Sequence, residues 1–224
     1  MASHSIARAN SVHPRAWARI ATIVAALALC ILPHLVWRLF DRQSPIAGLF
    51  LRCAGWVAGA DVTIIGAPVR RKALYIANHI SWLDILALAG QTKCAFVAKA
   101  DMKPWPLIGW LTTSNNTVYV EREARHAAHH QANALQNALT SGQPVTLFPE
   151  GTTADGSTLL PFRSSLIAAV TPAPDDIQIQ PVALDYGPIV GDIAWVGDES
   201  FGANALRVLS RAGRFPVRVH FLAP

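Results

Sequence analysis

One histidine and one carboxylate lie close together in the run Asn78-His79-Ile80-Ser81-Trp82-Leu83-Asp84. Histidine is the side chain best suited to accept a proton near neutral pH. In a continuous helix, a spacing of five residues would turn the two side chains about 140° apart. The pair can meet if His79 lies in a turn and Asp84 lies in the first turn of a following helix, with Ser81 as its N-cap. Asp84 could then hold the imidazole tautomer and stabilise the imidazolium, as a carboxylate does in a catalytic triad.

The same heptapeptide also has a purely structural interpretation. Ser81 and Asp84 match the capping-box pattern at a helix start, and Asp84 could serve that role alone. His79 could be a hydrogen-bonded turn residue. The heptapeptide by itself leaves both interpretations open.

A second polar turn, Phe148-Pro149-Glu150-Gly151-Thr152-Thr153, follows the apolar run VTLF. It places a carboxylate, a flexible backbone and two hydroxyls together, and such a turn can bind a polar headgroup through hydroxyls and backbone N–H groups. Glu150 could also orient a basic residue elsewhere in the site. The structural alternative is an ordinary turn after a strand, which Gly and Thr suit well.

Short apolar runs alternate with helical stretches and place both polar turns at strand ends. The predicted strands are 62–65, 73–77, 95–98, 117–120, 145–148, 177–182 and 217–221, and the predicted helices are 81–89, 123–140 and 203–212. This alternation predicts a single α/β domain with a mixed, largely parallel sheet flanked by helices. Polar residues that end a strand and open a helix lie where α/β active sites form.

An apolar segment without formal charge, residues 20–36, lies between Arg19 and Arg38. Its length is at the short end of the membrane-spanning range, and Trp17 and Trp37 flank it like interfacial anchors. The alternatives are a buried core helix and a signal peptide. We expect residues 1–44 to form an N-terminal hydrophobic membrane anchor and residues 45–224 to form the catalytic domain.

Two further apolar segments are each compatible with two environments, the membrane interface and the protein core. Residues 46–60 are rich in glycine and predict an interfacial or core helix. Residues 102–110 contain two tryptophans, Trp105 and Trp110, and Lys103. Their side chains suit headgroup depth, so this segment is expected to dip into the interface or to form a core loop.

The composition favours contact with lipid. Apolar residues make up 52% of the chain and charged residues only 15%, with a formal net charge of +5, whereas average chains are about 25% charged. The basic residues are dispersed and form no recognisable nucleic-acid-binding motif, so no nucleic-acid partner is expected.

Metal and disulfide sites are not expected. The three cysteines, Cys30, Cys53 and Cys94, are scattered and form no C-x-x-C pair. His126 and His130 have the i, i+4 spacing of some metal sites, but no H-E-x-x-H pattern and no third ligand accompany them. A solvated helix face is the better interpretation.

Together the two polar turns resemble the glycerolipid acyltransferase superfamily, of the 1-acyl-glycerol-3-phosphate acyltransferase type. Its N-H-x-x-x-x-D block is matched by Asn78, His79 and Asp84, and its F-P-E-G-T block by residues 148–152. Between them, Pro106-Leu107-Ile108-Gly109 is similar to the family's P-x-x-G segment, and a strand-like run ends in Arg122, as in the family. Residues 179–182 are similar to a fourth, apolar block around a proline.

The resemblance implies an O-acyltransferase whose general base is His79. The base would deprotonate the free hydroxyl of a lyso-lipid, which then attacks an acyl thioester carried by acyl-CoA or acyl carrier protein. Arg122 and the turn Glu150-Gly151-Thr152 would hold the headgroup, and no metal or prosthetic group is implied. The family's acceptor lies in the membrane, which places the chain at a bacterial-type inner membrane with the catalytic domain facing the cytoplasm.

One departure from the family pattern concerns the headgroup. Members that form phosphatidate usually carry Arg soon after E-G-T, whereas Thr153 stands here. Arg163 is a candidate replacement, and Asp155 adds a nearby negative charge that would favour an ammonium group over a phosphate. The runs E-G-T-T-x-D-G and L-P-F-R-S-S-L resemble the branch that includes lyso-ornithine-lipid O-acyltransferases. The commonest family role, 1-acyl-glycerol-3-phosphate to phosphatidate, is the default expectation and lyso-ornithine lipid the alternative acceptor.

Two other classes of function compete with acyl transfer. A thioester hydrolase could also use a His–Asp pair, but the chain contains no G-x-S-x-G nucleophile elbow. A non-catalytic membrane adaptor would need neither His79 nor Asp84, yet both are present.

Overall fold

The computed structural model describes residues 13–40, 44–100, 113, 115–120, 137–168 and 176–224. Its helices are α1 (Pro14–Arg38), α2 (Pro45–Ala58), α3 (Leu83–Thr92), α4 (Ser164–Ala168), α5 (Val190–Ile193) and α6 (Phe201–Ser210), with a 3-10 turn at Gly187–Ile189. Its strands are β1 (Ala60–Ile65), β2 (Ala73–Ala77), β3 (Ala95–Lys99), β4 (Val118–Val120), β5 (Val145–Leu147), β6 (Gln178–Asp185) and β7 (Phe215–Phe221). Of the predicted helix 123–140, the structure describes residues 137–140, which are helical.

These strands form one sheet in the order β1-β7-β6-β2-β5-β3-β4. All neighbours pair in parallel except β6 and β7, which confirms the predicted mixed, largely parallel sheet. The C-terminal ends of β2, β5 and β6 therefore share one edge. Because β7 runs against β6 and β1 runs parallel to β7, the N-terminal ends of β1 and β7 reach the same edge.

Strand β2 shows why the central strands are apolar throughout. Its sequence, ALYIA, alternates between two buried layers. Tyr75 packs into one core cluster with Leu88 of α3, and Leu74 packs into the other with Leu139 and Leu166. Helices cover both faces, as is typical of parallel sheets, so neither face needs polar residues.

Helix α2 is held against α3 by close backbone contact. A Cβ atom built on Gly90 would lie 2.9 Å from the Cα of Arg52, so only glycine fits there without a shift. Gly55 of α2 likewise faces Leu86 of α3 at 3.4 Å from an added Cβ. The glycines in this region serve helix packing, whereas Leu49 and Trp56 of the same helix are exposed, so the predicted helix 46–60 has features of both the core and the interfacial alternative.

Helix α1 packs on α2 and fixes its first turns to the end of α6. Arg15 donates to the Ser210 carbonyl at 3.1 Å, and Arg19 donates to the Leu209 carbonyl at 3.1 Å. Most of the remaining helix is open to solvent, with Leu29 77% and Leu32 69% exposed. Its length and composition make α1 a candidate membrane span.

Candidate active site

His79 and Asp84 lie side by side beyond the C-terminal end of β2. The strand ends at Ala77, and α3 begins at Leu83. Nδ1 of His79 lies 2.8 Å from Oδ2 of Asp84; the histidine side chain is 19% exposed and the aspartate is fully buried. The arrangement of a turn followed by a helix, which the spacing requires, is therefore present. With Nδ1 engaged by the carboxylate, Nε2 is the ring nitrogen left for a reacting group.

The Asp84 carboxylate accepts hydrogen bonds from four donors. Besides His79, Oδ2 accepts from the backbone N–H groups of Ile80 at 2.7 Å and Ser81 at 2.9 Å, and Oδ1 accepts from the Tyr186 hydroxyl at 2.5 Å. The contact with the Ser81 N–H has the spacing of three residues at which a carboxylate bonds back to the backbone in a capping box. The geometry is compatible with both the structural and the chemical interpretations of Asp84, because one oxygen makes both contacts.

The expected N-cap at Ser81 is wrong. Helix α3 begins at Leu83, and its N-cap is Trp82, which makes no side-chain capping bond. Ser81 lies one residue earlier, where its carbonyl accepts from the Asp84 N–H at 3.0 Å and its hydroxyl accepts from the Leu83 N–H at 3.4 Å. A hydrogen-bonded turn at residues 81–84 therefore leads into the helix and delays its start.

The imidazole of His79 lies flat against Phe148. Their ring centroids are 4.0 Å apart with an interplanar angle of 12°, and Phe148 stacks in turn on Phe96 at 6.0 Å. One face of the imidazole is thereby covered by the residue that opens the second polar turn. This contact limits rotation of the ring and keeps water from that face.

Glu150 joins the second polar turn to the first. Its side chain is almost fully buried. Oε1 accepts from the backbone N–H of His79 at 3.0 Å, and Oε2 accepts from the backbone N–H of Leu160 at 2.7 Å. Among the described residues, both oxygens are bound to backbone donors, and an orienting role of Glu150 toward a basic side chain stays a prediction. The Glu150 carboxylate fixes the backbone that carries the histidine.

Gly151 allows the sharp turn after Glu150. Its φ of +71° lies in the left-handed region, and an added Cβ would come within 2.7 Å of Cδ of Arg163. The Arg163 side chain crosses the turn, and its Nε donates to the Glu150 carbonyl at 3.2 Å. Arg163 is exposed, so the structure places a cation against this turn, and its role as the replacement for the missing Arg stays a prediction.

The two threonines of the turn differ in their surroundings. Thr152 is exposed. The Thr153 hydroxyl donates to the backbone carbonyl of Trp195, and the backbone N–H of Trp195 donates to the Ile80 carbonyl at 2.9 Å. The Thr153 proton is therefore directed at a backbone acceptor, and a contact between Thr153 and a headgroup stays a prediction. Thr153 ties together three segments around the site.

Asn78, expected to bind substrate, is occupied by the neighbouring strand. Its Nδ2 donates to the Leu184 carbonyl at 3.0 Å, and its Oδ1 accepts from the Leu184 N–H at 2.7 Å. The amide continues the pairing of β2 with β6 after the backbone of β2 has turned away. Asn78 therefore positions the turn, and its role in substrate binding stays a prediction.

A cavity of about 130 Å³ opens beside His79. Its lining consists of residues 78–80, Glu150, Ala154 and residues 156–159. Sites that enclose a whole small ligand are larger, roughly 300–1,000 Å³. Within the described part of the chain, the cavity is therefore smaller than a site that encloses a whole small ligand.

Several predicted features lie outside the described residues. They include Arg122, the segment 102–110 and the histidines His126 and His130. Within the described part of the chain, no cluster of three or more His, Cys, Asp or Glu side chains could hold a metal ion.

Three residues that make contacts at the site were not predicted from the sequence. Tyr186 donates to Asp84, Leu160 donates its N–H to Glu150, and the carbonyl of Trp195 accepts from Thr153. Two of these contacts use backbone atoms, which leave no trace in residue type. The position of Tyr186 just after a strand at the site edge is a signal, though a weak one.

Comparison with known proteins shows which proteins the chain is similar to. Residues 61–185 match the family model described as Acyltransferase. The chain is 35% identical to the lyso-ornithine lipid O-acyltransferase of Rhizobium meliloti, covering 92% of this chain and 77% of the relative. It is 34% identical to a 1-acyl-sn-glycerol-3-phosphate acyltransferase of Neisseria meningitidis, covering 59% of this chain and 52% of the relative. The crystal structure of the Thermotoga maritima 1-acyl-sn-glycerophosphate acyltransferase shares the fold, with a TM-score of 0.64 at 22% identity over 95% of this chain and 83% of that chain.

Proposed function

The chain belongs to the acyltransferase family, and from this premise we propose that it transfers a fatty acyl group from acyl-CoA or acyl carrier protein to a lyso-lipid, with His79 as general base. That it is an O-acyltransferase of the lyso-lipid type follows from the family match and the relatives. The donor, the base and the acceptor are the proposal.

The observation that carries the role of His79 is its pairing with a buried carboxylate at the wall of the cavity. The distance of 2.8 Å between Nδ1 and Oδ2 of Asp84 favours the tautomer with the proton on Nδ1. Nε2 then has a free lone pair and can accept a proton. The base and its orienting carboxylate have the relation found in hydrolytic triads, with the acceptor hydroxyl taking the place of a nucleophilic side chain.

The reaction balances with these groups alone. As the acceptor oxygen attacks the thioester carbonyl carbon, its proton passes to Nε2 of His79. The tetrahedral intermediate then collapses, the C–S bond breaks, and the imidazolium returns the proton to the departing sulfur. The products are an ester and a free thiol, and the base is regenerated. Asp84 stabilises the imidazolium between the two steps.

The test is His79→Ala, assayed with a labelled acyl donor in detergent. Removal of a positioned general base lowers the rate by about 10²- to 10⁴-fold, so transfer should fall into that range while the fold is retained. His220→Ala is a suitable control, because His220 lies on β7 away from the cavity lining. Near-full turnover by His79→Ala would refute the mechanism, and thioester loss without acceptor would indicate a hydrolase.

For the acceptor we propose a lyso-ornithine lipid in place of the default expectation. Relatives of that name align over most of their length, including one from Brucella abortus that is 33% identical with 85% of its chain covered. The local charges agree with this choice. Asp155 is exposed, and hydrogen bonds from the backbone N–H and hydroxyl of Ser157 lower the pKa of its carboxyl. An ionised carboxylate next to the cavity lining suits an ammonium group and repels a phosphate.

Lysophosphatidic acid is the second candidate, and Arg163 is the observation in its favour. Its guanidinium group crosses the Gly151 turn and could bind a phosphate. A competition assay with both lyso-lipids and one labelled donor separates the candidates. A preference for lyso-ornithine lipid that weakens in Asp155→Asn and reverses in Thr153→Arg/Asp155→Asn would support the first. A preference for lysophosphatidic acid that is lost in Arg163→Ala would establish the second.

We also propose that α1 anchors the chain to the inner membrane with the catalytic domain facing the cytoplasm. Membrane association agrees with the exposed apolar side chains of α1 and with acceptors that lie in the bilayer. The first turns of α1 contact residues 209–213, just before β7. Since β7 begins at the same sheet edge as the cavity, the anchor and the site are on one side of the domain.

The anchor can be tested with charges on its exposed face. Leu29→Lys/Leu32→Lys should shift the protein from the membrane to the soluble fraction, because a lysine in hydrocarbon costs about 2.5–3.5 kcal/mol. Leu222→Lys, an exposed leucine beyond β7, is the matched control and should stay with the membrane. An unchanged membrane fraction would exclude α1 as the anchor, and proteolysis of the catalytic domain from outside the cell would contradict the orientation.

A further inference from the structure

Tyr186 contacts the Asp84 carboxylate from a position outside both polar turns of the sequence. It follows β6, which pairs with β2, and its side chain is only 1% exposed. Its hydroxyl lies 2.5 Å from Oδ1 of Asp84. A buried tyrosine hydroxyl needs a partner, so packing alone could explain the contact. The distribution of donors around the Asp84 carboxylate indicates a role for Tyr186 in addition to packing.

The two oxygens of Asp84 have different partners. Oδ2 accepts from His79 and from the backbone N–H groups of Ile80 and Ser81. Among the described residues, Tyr186 is the donor that meets Oδ1. The torsion that turns an aspartate carboxylate is broad and weakly restrained. A donor on each oxygen fixes this torsion, and with it the direction in which Oδ2 faces the imidazole.

We propose that Tyr186 is a positioning residue for acyl transfer, which holds the Asp84 carboxylate in the orientation that keeps Nε2 of His79 free to accept a proton. The inference rests on the proposed role of His79 as general base. Tyr186 touches neither substrate nor the reacting nitrogen, and it acts through Asp84.

The hydroxyl remains a donor at every pH at which the enzyme could be assayed. Burial, and then the neighbouring Asp84 carboxylate, raise the pKa of Tyr186 well above its ordinary value. Its hydrogen bond also draws part of the carboxylate charge away from the imidazole. Without the hydroxyl, the full charge faces His79, and the imidazolium form gains stability.

The other groups around His79 do not offset this change. Asp84 approaches from α3, Glu150 accepts the His79 backbone N–H from the turn after β5, and the stacked Phe148 is uncharged. The Glu150 and Phe148 contacts do not involve Asp84, so they are the same whether or not Tyr186 carries its hydroxyl. Loss of the hydroxyl should therefore move the acid limb of the pH–rate profile to higher pH, because the base must be neutral to act.

The experiment compares Tyr186→Phe with Tyr75→Phe in the full-length protein. Tyr75 is a matched control, since it is also fully buried in the sheet and its hydroxyl donates at 2.5 Å, to the Val69 carbonyl. Both variants keep the ring and lose one buried hydrogen bond. Thermal unfolding of each variant shows that it is folded and measures the structural cost.

Tyr186→Phe should lower kcat by up to about 10- to 100-fold, the upper bound set by the loss of a hydrogen bond to a charged group. KM should stay unchanged, and the acid limb should move to higher pH. Tyr75→Phe should change neither kcat nor the acid limb of the pH–rate profile, whatever its effect on the unfolding temperature. In an Asp84→Asn background the Tyr186 substitution should have no further effect on kcat, because both residues act through one group.

The proposal is overturned if Tyr186→Phe keeps the wild-type kcat and pH profile, or if its kcat loss adds fully to that of Asp84→Asn. Either result would reduce Tyr186 to a core residue while transfer by the wild-type enzyme, and its loss in His79→Ala, would still stand. Failure of the proposed function is a different outcome, in which the wild-type chain transfers no acyl group.

Discussion

Replacing Asp84 with Asn removes a charge from the site and leaves its hydrogen-bond geometry almost unchanged. The carboxamide oxygen can take the Oδ2 position, where it accepts from His79 and two backbone N–H groups. Its NH₂ group then faces the Tyr186 hydroxyl, whose oxygen can accept a hydrogen bond. The perturbation is electrostatic, whereas Asp84→Ala would strand several buried donors at about 1–3 kcal/mol each.

The size of the effect follows from the lost attraction between the carboxylate and the imidazolium. Nδ1 and Oδ2 are 2.8 Å apart, and unit charges centred about 4 Å apart attract by about 4 kcal/mol at an effective dielectric constant of about 20. If that attraction exists only while His79 holds the proton, its loss lowers kcat by about 10³-fold. The acid limb of the pH–rate profile should move to lower pH, opposite to the shift expected for Tyr186→Phe.

The assay measures initial rates with a labelled acyl donor at saturating acceptor, together with thermal unfolding of the same preparations. We expect the large fall in kcat with little change in the unfolding temperature. A variant that keeps kcat within a few-fold of wild type would refute the electrostatic reasoning. A lowered unfolding temperature with an unchanged kcat would show that the capping role of Asp84 is the one that matters.

Three further substitutions test contacts of the site and its surroundings. Glu150→Gln should lower the free energy of unfolding by about 1–3 kcal/mol, because its NH₂ group must face one of two backbone N–H donors; an unchanged denaturation midpoint would argue against this bridge. Gly151→Ala should cost at least about 1–2 kcal/mol from the positive φ alone, with added crowding against Arg163 that the unfolding temperature would record. Arg207 holds the pKa of Glu199 below its usual range, so the pair stabilises the fold above about pH 4.3 and loses this contribution as the pH falls through the lower native pKa. Glu199→Gln should flatten that part of the stability curve measured by thermal unfolding.

The elements of the fold were largely predictable because their signals are local. Strand β2 is bounded as predicted, since a run of apolar residues between polar ones marks a strand buried on both faces. Helix α3 starts later than expected because the turn at residues 81–84 precedes it. Strand β6 extends beyond its predicted end into Ala183–Asp185, where pairing with β7 continues the strand. That pairing depends on a partner distant in sequence, so the residues of β6 alone do not reveal it.

The site was predictable as a pair of residues and not as a network. The spacing of His79 and Asp84 specified a turn followed by a helix, and the structure has both. The partners of Asn78 and Glu150 were not predictable, because each side chain binds backbone atoms of a remote segment. Any residue type can supply a backbone N–H or C=O group, so no pattern of residue types announces such a contact.

The hydrogen bonds that link His79 and Asp84 to distant segments also bear on the order in which the protein folds. The Glu150 contact with His79 joins residues 71 positions apart, and the Tyr186 contact with Asp84 joins residues 102 positions apart. Contacts of such long range require the intervening chain to be closed first, at a cost in entropy that local helices do not bear. The polar network should therefore form late, and recovery of activity after refolding should lag behind recovery of helix. A half-folded chain would then have its helices in place while His79 and Asp84 still lack their long-range partners.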